Sequence, residues 1–151
     1  MSDDILTASQ YSCDYLQSPV DDLFSFYYTM QWAVVFHNQE FATKGIPHGL
    51  KKLREKLLGT QDNRLVTTIE ITSPSSLRPH EYGSFVARFQ PLLRAWYWEL
   101  QGLKADWKDC LYKLEGQETN AEIYIPLFST FALKGVASLA ELVYKYTKDM
   151  D

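Results

Sequence analysis

The stretch from Pro19 to Phe36 constrains the fold more than any other. Its sequence predicts a helix that has almost no polar face to expose to solvent. Ser18 and Asp21 have the spacing of a capping box, and Pro19 stands at the first helical position. From Leu23 onward nearly every residue is large and apolar. A helix that is apolar on all sides is buried. We therefore expect the other helices to pack around this one.

Length and composition bound the class of protein. The chain has 151 residues, of which 46% are hydrophobic and 23% charged, so it fits a single domain, residues 1–151, with a substantial core. A net charge of −4 argues against nucleic acid and an anionic membrane surface as partners. Ser25, Thr29 and Gln31 interrupt the apolar run and argue against a membrane span. No signal peptide is visible, which favours a cytoplasmic or nuclear location.

Residues that carry chemistry do not form a recognisable site. Cys13 and Cys110 lack metal or redox spacing and are interpreted as reduced, partly buried thiols. No histidine stands at a metal-binding distance from a cysteine or carboxylate, and no phosphate loop or nucleophile motif is present. Asp21 and Asp22 are neighbours that face different directions on a helix. We interpret one as a helix cap and the other as hydrogen-bonded inward, and predict no catalytic, cofactor or metal residue.

Residues 50–58 have leucines at helical spacing and predict a basic amphipathic helix. We interpret its basic residues as a solvated face rather than an anion-binding patch. They are Lys51, Lys52, Arg54 and Lys56. Residues 59–80 predict a long surface loop, with a possible short β-strand over residues 65–71.

The last third of the chain predicts two further helical regions. Residues 80–114 carry apolar side chains three and four positions apart, and Pro91 is expected to kink or split this helix. Residues 121–125 are expected to be extended or irregular, and Pro126 to start the last helix. Gly135 is expected to allow close packing. The predicted apolar side of that helix contains Leu127, Phe131, Val136, Leu139, Leu142, Val143 and Tyr146.

Several stretches resemble the fungal-type protein kinase family. The run S-P-V-D-D-L-F-S-F-Y-Y-T-M-Q-W at residues 18–32 is similar to its signature, in which D-D-L-x-S opens the long buried helix of the kinase C-lobe. M-S-D-D-I-L at residues 1–6 resembles the end of a kinase activation segment. The tail of those domains is similar to I-P-H-G-L-K-K-L-R-E-K-L, L-L-R-A-W-Y and P-L-F-S-T-F-A-L-K-G-V. The resemblance covers nearly the whole chain.

The resemblance implies a mainly α fold, a helical bundle around one buried central helix, as in a kinase C-lobe. It also implies structural roles for three residues. The aspartate that matches Asp22 bonds the backbone of the catalytic loop in that family. Ser25 matches the serine of the same motif, and Asp4 stands where kinases carry a glutamate that pairs with a distant arginine.

The glycine-rich loop, Lys–Glu pair, H-R-D loop and D-F-G aspartate of protein kinases do not occur in this sequence. We therefore expect a truncated kinase-like domain that is not an enzyme by itself, binds no ATP, and acts as a protein-interaction module. Apolar surface near the start of the central helix is expected to be open, and to be covered by the N-terminal segment, a protein partner or a second copy. Two alternatives stay open: the C-terminal part of a longer active kinase, and an unrelated small helical binding or inhibitor protein.

Overall fold

The computed structural model describes residues 18–38, 45–114 and 121–148, which form helices and short connections without a β-strand. The helices are α1 (Pro19–Val35), α2 (His48–Leu58), α3 (Gln61–Thr72), α4 (Pro79–Tyr82), α5 (Ser84–Leu114) and α6 (Ala121–Lys148). The predicted mainly α class is confirmed. The chain divides into two compact units. Unit 1 is Met1–Tyr27 with Trp96–Asp151, and unit 2 is Tyr28–Ala95. The single domain stays a prediction.

The start of α1 has the predicted capping box. The Ser18 backbone N–H donates to Asp21 Oδ2 at 2.9 Å, and the Asp21 N–H donates to Ser18 Oγ at 3.2 Å. Both residues are buried. Two N–H groups that a helix start leaves without partners are therefore satisfied reciprocally, which fixes where α1 begins.

The expected all-round burial of α1 is wrong for one side of the helix. Phe26 is 64% exposed and Trp32 is 37% exposed. The Trp32 ring stacks on Phe36 with centroids 4.1 Å apart, so part of its face is shielded by a neighbour rather than by another helix. The buried residues of α1 are Val20, Leu23, Phe24, Tyr27, Gln31, Val34 and Val35.

In unit 2 the stretch predicted as a loop with a possible strand is instead α3, packed against α2. Thr60 caps α3, because its side chain accepts from the Asn63 N–H. Thr67 and Thr72 are buried, and each hydroxyl donates to the carbonyl four residues earlier. Their polar atoms are thus satisfied inside the helix. Packing against α2 outweighs the β preference of the branched residues.

The break predicted at Pro91 lies instead at Gly83. Gly83 has φ +86°, a left-handed conformation that favours glycine, and its N–H donates to the Pro79 carbonyl at 2.8 Å to close α4. Helix α5 then runs unbroken through Pro91 to Leu114. A proline inside a helix removes one hydrogen bond, and buried residues anchor α5 on both sides of Pro91. These are Val86, Leu92, Leu93, Trp96, Leu100, Leu103 and Trp107.

In unit 1 helix α6 begins at Ala121, so the prediction of an irregular segment before Pro126 is wrong. The Tyr124 ring lies edge-on to Trp107 of α5, with centroids 5.8 Å apart. This contact stabilises the helical conformation of the residues that precede Pro126. Phe131, 6% exposed, also packs on Trp107, at a centroid distance of 5.2 Å.

Gly135 provides the predicted close packing of α6. It is buried, and a Cβ atom placed there would overlap Leu23 Cδ1 of α1 and lie 3.1 Å from Leu103 Cδ2 of α5. Only a hydrogen atom fits at this position. The absence of a side chain at Gly135 therefore sets how closely α6 approaches the rest of unit 1.

Candidate interaction surface

Helix α6 carries a row of apolar side chains on the side that faces solvent. Ile125 is 61% exposed, Leu133 71%, Val136 57% and Tyr144 69%. At 3.6 residues per turn these positions fall within an arc of about 100° on the helix surface. Two small exposed residues occupy the same arc. We call the six residues the α6 stripe: Ile125, Ser129, Leu133, Val136, Ala140 and Tyr144.

The opposite side of α6 is the one that packs in unit 1, through Phe131 and Gly135. The helix therefore has two apolar sides, and the predicted single apolar side is wrong for Val136 and Val143, which are exposed. Two polar contacts tie α6 to α5. Lys134 Nζ lies 3.3 Å from Asp106 Oδ2, and the Ser138 hydroxyl donates to Glu99 Oε1 at 3.2 Å.

Helix α6 leaves much of its apolar surface exposed to solvent. By length and composition alone, the segment Glu122–Lys148 could cross a membrane: an 18-residue window within it has a mean hydropathy of 1.4, and 11% of that window is buried. Contiguous apolar patches on folded proteins usually mark sites where another molecule binds. The α6 stripe is therefore the candidate functional surface.

The residues named by the sequence are not brought together into a site. Asp21 caps α1, as predicted, whereas Asp22 lies on the exposed side of its first turn rather than inward. The half-buried Ser25 donates its hydroxyl to the Asp21 carbonyl at 3.0 Å. Asp4 and Cys13 lie outside the described residues. Cys110 is a half-buried free thiol, as expected.

The apolar surface expected near the start of α1 is largely covered. Val20, Leu23 and Phe24 are each at most 5% exposed, and Phe26 is the large exposed residue of that region. The expected covering by the N-terminal segment concerns residues outside the described part of the chain. The principal exposed apolar row in unit 1 thus lies on α6.

Unit 2 contains an open cleft with a volume of about 540 Å³. Its lining comes from α3, α4 and the loop between them. The lining residues are Ile69, Glu70, Ser73, Ser75, Ser76, Leu77, Arg78, Glu81 and Tyr82. Glu70 is central to it, because its Oε2 accepts from Lys56 Nζ at 2.8 Å and its Oε1 accepts from the Tyr82 hydroxyl at 2.9 Å. These bonds join α2, α3 and α4.

The chemistry of this cleft suits a structural tie. Burial raises the pKa of Tyr82 to about 12, and the hydrogen bond to Glu70 and the charges of Glu70 and Glu81 add to the rise. The phenol therefore stays protonated at neutral pH and acts as a donor. Both Glu70 oxygens are engaged.

The raised pKa of Tyr82 predicts a loss of stability at high pH. The folded chain holds this proton more tightly than the unfolded chain, whose tyrosine pKa is 10.0. The contribution is therefore complete below pH 10.0 and is lost as pH rises toward about 12. In Tyr82→Phe the free energy of unfolding should fall less over this range. Urea denaturation at several pH values, with Tyr112→Phe as an exposed control, measures the difference.

A buried amide, that of Gln90, makes several bonds to the loop that borders the cleft. Gln90 of α5 accepts from the Leu77 N–H at 2.7 Å. Its Nε2 donates to the carbonyls of Ser75 at 2.8 Å and Ile71 at 3.1 Å. Arg94 Nη1 also donates to the Pro74 carbonyl at 3.0 Å, so two side chains of α5 hold residues 73–78, and Gln90 makes the buried bonds.

Gln90→Leu is expected to lower the free energy of unfolding by about 2 kcal/mol. The substitution keeps the volume but leaves one buried N–H and two carbonyls without the amide, and each unsatisfied group costs about 1 kcal/mol or more. Urea unfolding measures the loss. Gln101→Leu, on the same helix but half-buried, should change stability by less than about 0.5 kcal/mol. Equal effects in the two variants would contradict the role of Gln90.

The predicted solvated face of α2 is wrong for Arg54, which is 9% exposed. Its Nε donates to the Val35 carbonyl at 2.8 Å and its Nη2 to the His37 carbonyl at 3.0 Å, at the end of α1. Nη1 donates to Asn38 Oδ1 at 2.9 Å. Burial lowers the guanidinium pKa from its ordinary value. Lys51 and Lys52 are exposed, as expected.

Among the described residues no group of three or more histidines, cysteines and carboxylates is placed to hold a metal ion. No family model matches the sequence, no curated protein is significantly similar to it, and no solved structure matches it. Sequence reasoning missed the cleft and the exposed side of α6. Once the helix is known to begin before Pro126, the spacing of Ile125, Leu133 and Tyr144 predicts an apolar row on the exposed side of α6.

Proposed function

We propose that this chain is a non-catalytic protein-binding module whose binding surface is the α6 stripe. The observation that carries the proposal is the exposure of four large apolar side chains along one side of a 28-residue helix. The opposite side of α6 already packs into the core of unit 1, so the stripe residues do not contribute to that core. Burying such a row of side chains is favourable by roughly 25 cal/mol per Å² of apolar surface. This free energy would stabilise a complex with a partner.

The shape of the α6 stripe suits an apolar helix as partner. From Ile125 to Tyr144 it extends about 28 Å at 1.5 Å per residue. Small side chains at Ser129 and Ala140 alternate with the large ones. Such alternation lets the side chains of a second helix enter between those of the first. Recognition of an amphipathic helix through anchors three and four residues apart is a common mode of protein binding.

The resemblance to kinases suggests the origin of such a module: a truncated kinase-like domain. The D-D-L-F-S run opens α1, and Asp22 lies exposed on its first turn. In the family that the sequence resembles, an aspartate at this place holds a neighbouring loop. The kinase C-lobe likeness stays a prediction from sequence.

An environment-sensitive dye tests the binding surface at a protein concentration of about 1 µM, where weak self-association is negligible. We expect the dye to fluoresce on the wild-type chain and the signal to be lost in Leu133→Glu/Val136→Glu. The matched control is Leu58→Glu, because Leu58 of unit 2 is 63% exposed. No dye signal, or equal signals in the two variants, would contradict the proposal.

The exposed Asp22 also supports a second candidate, in which the chain is the C-terminal part of a longer active kinase. Calorimetry with ATP and Mg²⁺ separates the two on this chain, at concentrations that detect a dissociation constant of about 1 mM. We expect no binding by the chain alone. Stoichiometric binding would overturn the non-catalytic proposal.

A further inference from the structure

We propose that the partner of the α6 stripe is the α6 stripe of a second copy of this chain, packed antiparallel. This inference rests on the proposed function and adds the identity and direction of the partner. It follows from two independent properties of the described residues of α6: the spacing of the stripe and the charges at its ends.

The spacing of the stripe reads the same from either end. Its six positions follow one another at intervals of four, four, three, four and four residues. In an antiparallel pair centred between Lys134 and Gly135, Leu133 therefore lies opposite Val136 of the second copy. Ser129 likewise lies opposite Ala140, and Ile125 opposite Tyr144. The Leu133–Val136 and Ile125–Tyr144 layers join large apolar side chains, and the Ser129–Ala140 layers between them join a hydroxyl and a methyl group.

The charges at the ends complement each other in the same arrangement. Glu122, exposed in the first turn of α6, would stand opposite Thr147 and beside Lys148 of the second copy. The symmetry repeats this attraction at the other end. Opposite charges at the rim of an interface steer and orient association.

A parallel pair lacks both properties. Each Glu122 would face Glu122, and each Lys148 would face Lys148, so like charges would repel at both ends. Leu133 would face Leu133 and Ser129 would face Ser129, so each layer would join identical side chains rather than the pairs given by the spacing of the stripe. The two helix dipoles would also point the same way, whereas antiparallel helices place opposite partial charges side by side. The geometry points to the antiparallel pair.

Sedimentation velocity tests the self-association on purified protein between about 2 and 200 µM. We expect a reversible dimer with a dissociation constant on the order of 10 µM, since a single helix pair lies at the small end of specific interfaces. Leu133→Glu should weaken the dimer at least about tenfold, and the matched control Leu58→Glu should not. Unchanged circular dichroism shows that both variants are folded.

Two charge variants test the end pairing. Glu122→Lys and Lys148→Glu should each weaken the dimer, because each puts like charges opposite one another. The double variant Glu122→Lys/Lys148→Glu restores both attractions and should dimerise like the wild type. Failure of this rescue would overturn the antiparallel assignment.

Disulfide trapping tests the direction itself, in a chain whose Cys13 and Cys110 are replaced by serine. Ser129→Cys and Ala140→Cys proteins mixed in equal amounts should crosslink to each other, and neither should crosslink to itself. Crosslinking of Ser129→Cys alone would show a parallel pair and overturn the proposal.

Two further outcomes would overturn self-pairing while leaving the α6 stripe an apolar binding surface by the dye test. The first is a monomer up to about 200 µM. The second is stripe-dependent flotation with phosphatidylcholine vesicles in place of dimerisation, which would make a lipid surface the occupant. A stripe that binds no dye would contradict the proposed function itself.

Discussion

Replacing Gly135 by valine is expected to lower the free energy of unfolding of this protein by about 3 kcal/mol, near the upper end of what overpacking a core costs. A Cβ atom at this position overlaps Leu23 Cδ1 and lies 3.1 Å from Leu103 Cδ2. Leu23 is 5% exposed and Leu103 is 7% exposed, so neither side chain can swing out into solvent. Helix α6 would have to move away from its contacts in unit 1. Urea unfolding followed by tryptophan fluorescence measures the loss.

Gly102 provides the matched control. It also lies inside a long helix, α5, but a Cβ atom there meets nothing within 4 Å. Gly102→Ala should stabilise the protein by about 0.5–1 kcal/mol, because alanine has the higher helix propensity. Gly135→Ala gains the same propensity but suffers the overlap. If both alanine variants stabilise the protein, the close packing of α6 described above is incorrect.

Arg54→Ala is expected to lower the free energy of unfolding by a similar amount, about 3 kcal/mol. Its guanidinium donates to the carbonyls of Val35 and His37 and to Asn38 Oδ1. Hydrogen bonds to a charged group contribute about 1.5–3 kcal/mol each, and the carbonyls at the end of α1 would lose their buried donor. The cost appears in the urea midpoint of unfolding.

Lysine is not expected to reproduce the stabilising role of Arg54. Its ammonium keeps the charge, but it cannot present the planar fork that serves several acceptors at once. We expect Arg54→Lys to lose about 2 kcal/mol. Lys52→Ala, an exposed basic residue on the same helix, should change stability by less than about 0.5 kcal/mol. An Arg54→Lys variant as stable as the wild type would contradict the capping role.

The features that sequence predicted best are those set by local chemistry. Ser18, Pro19 and Asp21 specify the start of α1 through bonds that span only three residues, and the structure has them. Leu50, Leu53 and Leu57 predicted the buried side of α2 for the same reason, since their spacing is a property of one helix, whereas Leu58, predicted on the same stripe, is 63% exposed. The mainly α class followed from these elements.

The errors arose where distant contacts decide the outcome. The β-branched residues of α3 suggested a strand, and packing against α2, which no local pattern shows, makes them helical. Arg54 looked like one more solvated cation because its acceptors lie 17 and 19 residues away along the chain. No local pattern reveals such a partner.

The candidate surface was missed for a related reason. Apolar residues on α6 predicted burial, but a helix of this composition has more apolar residues than unit 1 covers. Which side is covered depends on Gly135, where α6 approaches Leu23 and Leu103 closely. The other side is left exposed. Sequence gives the apolar residues of α6, and tertiary packing selects the ones that remain for a partner.

Photo-crosslinking in the cells that make this protein tests the central claim, that the α6 stripe is a protein interface, most directly. A photoreactive amino acid would replace Leu133, with Leu58 as the control position. We predict an adduct with a protein at position 133, lost when Val136→Glu is added, and no such adduct at position 58. An adduct with lipid, or equal labelling at both positions, would contradict the account.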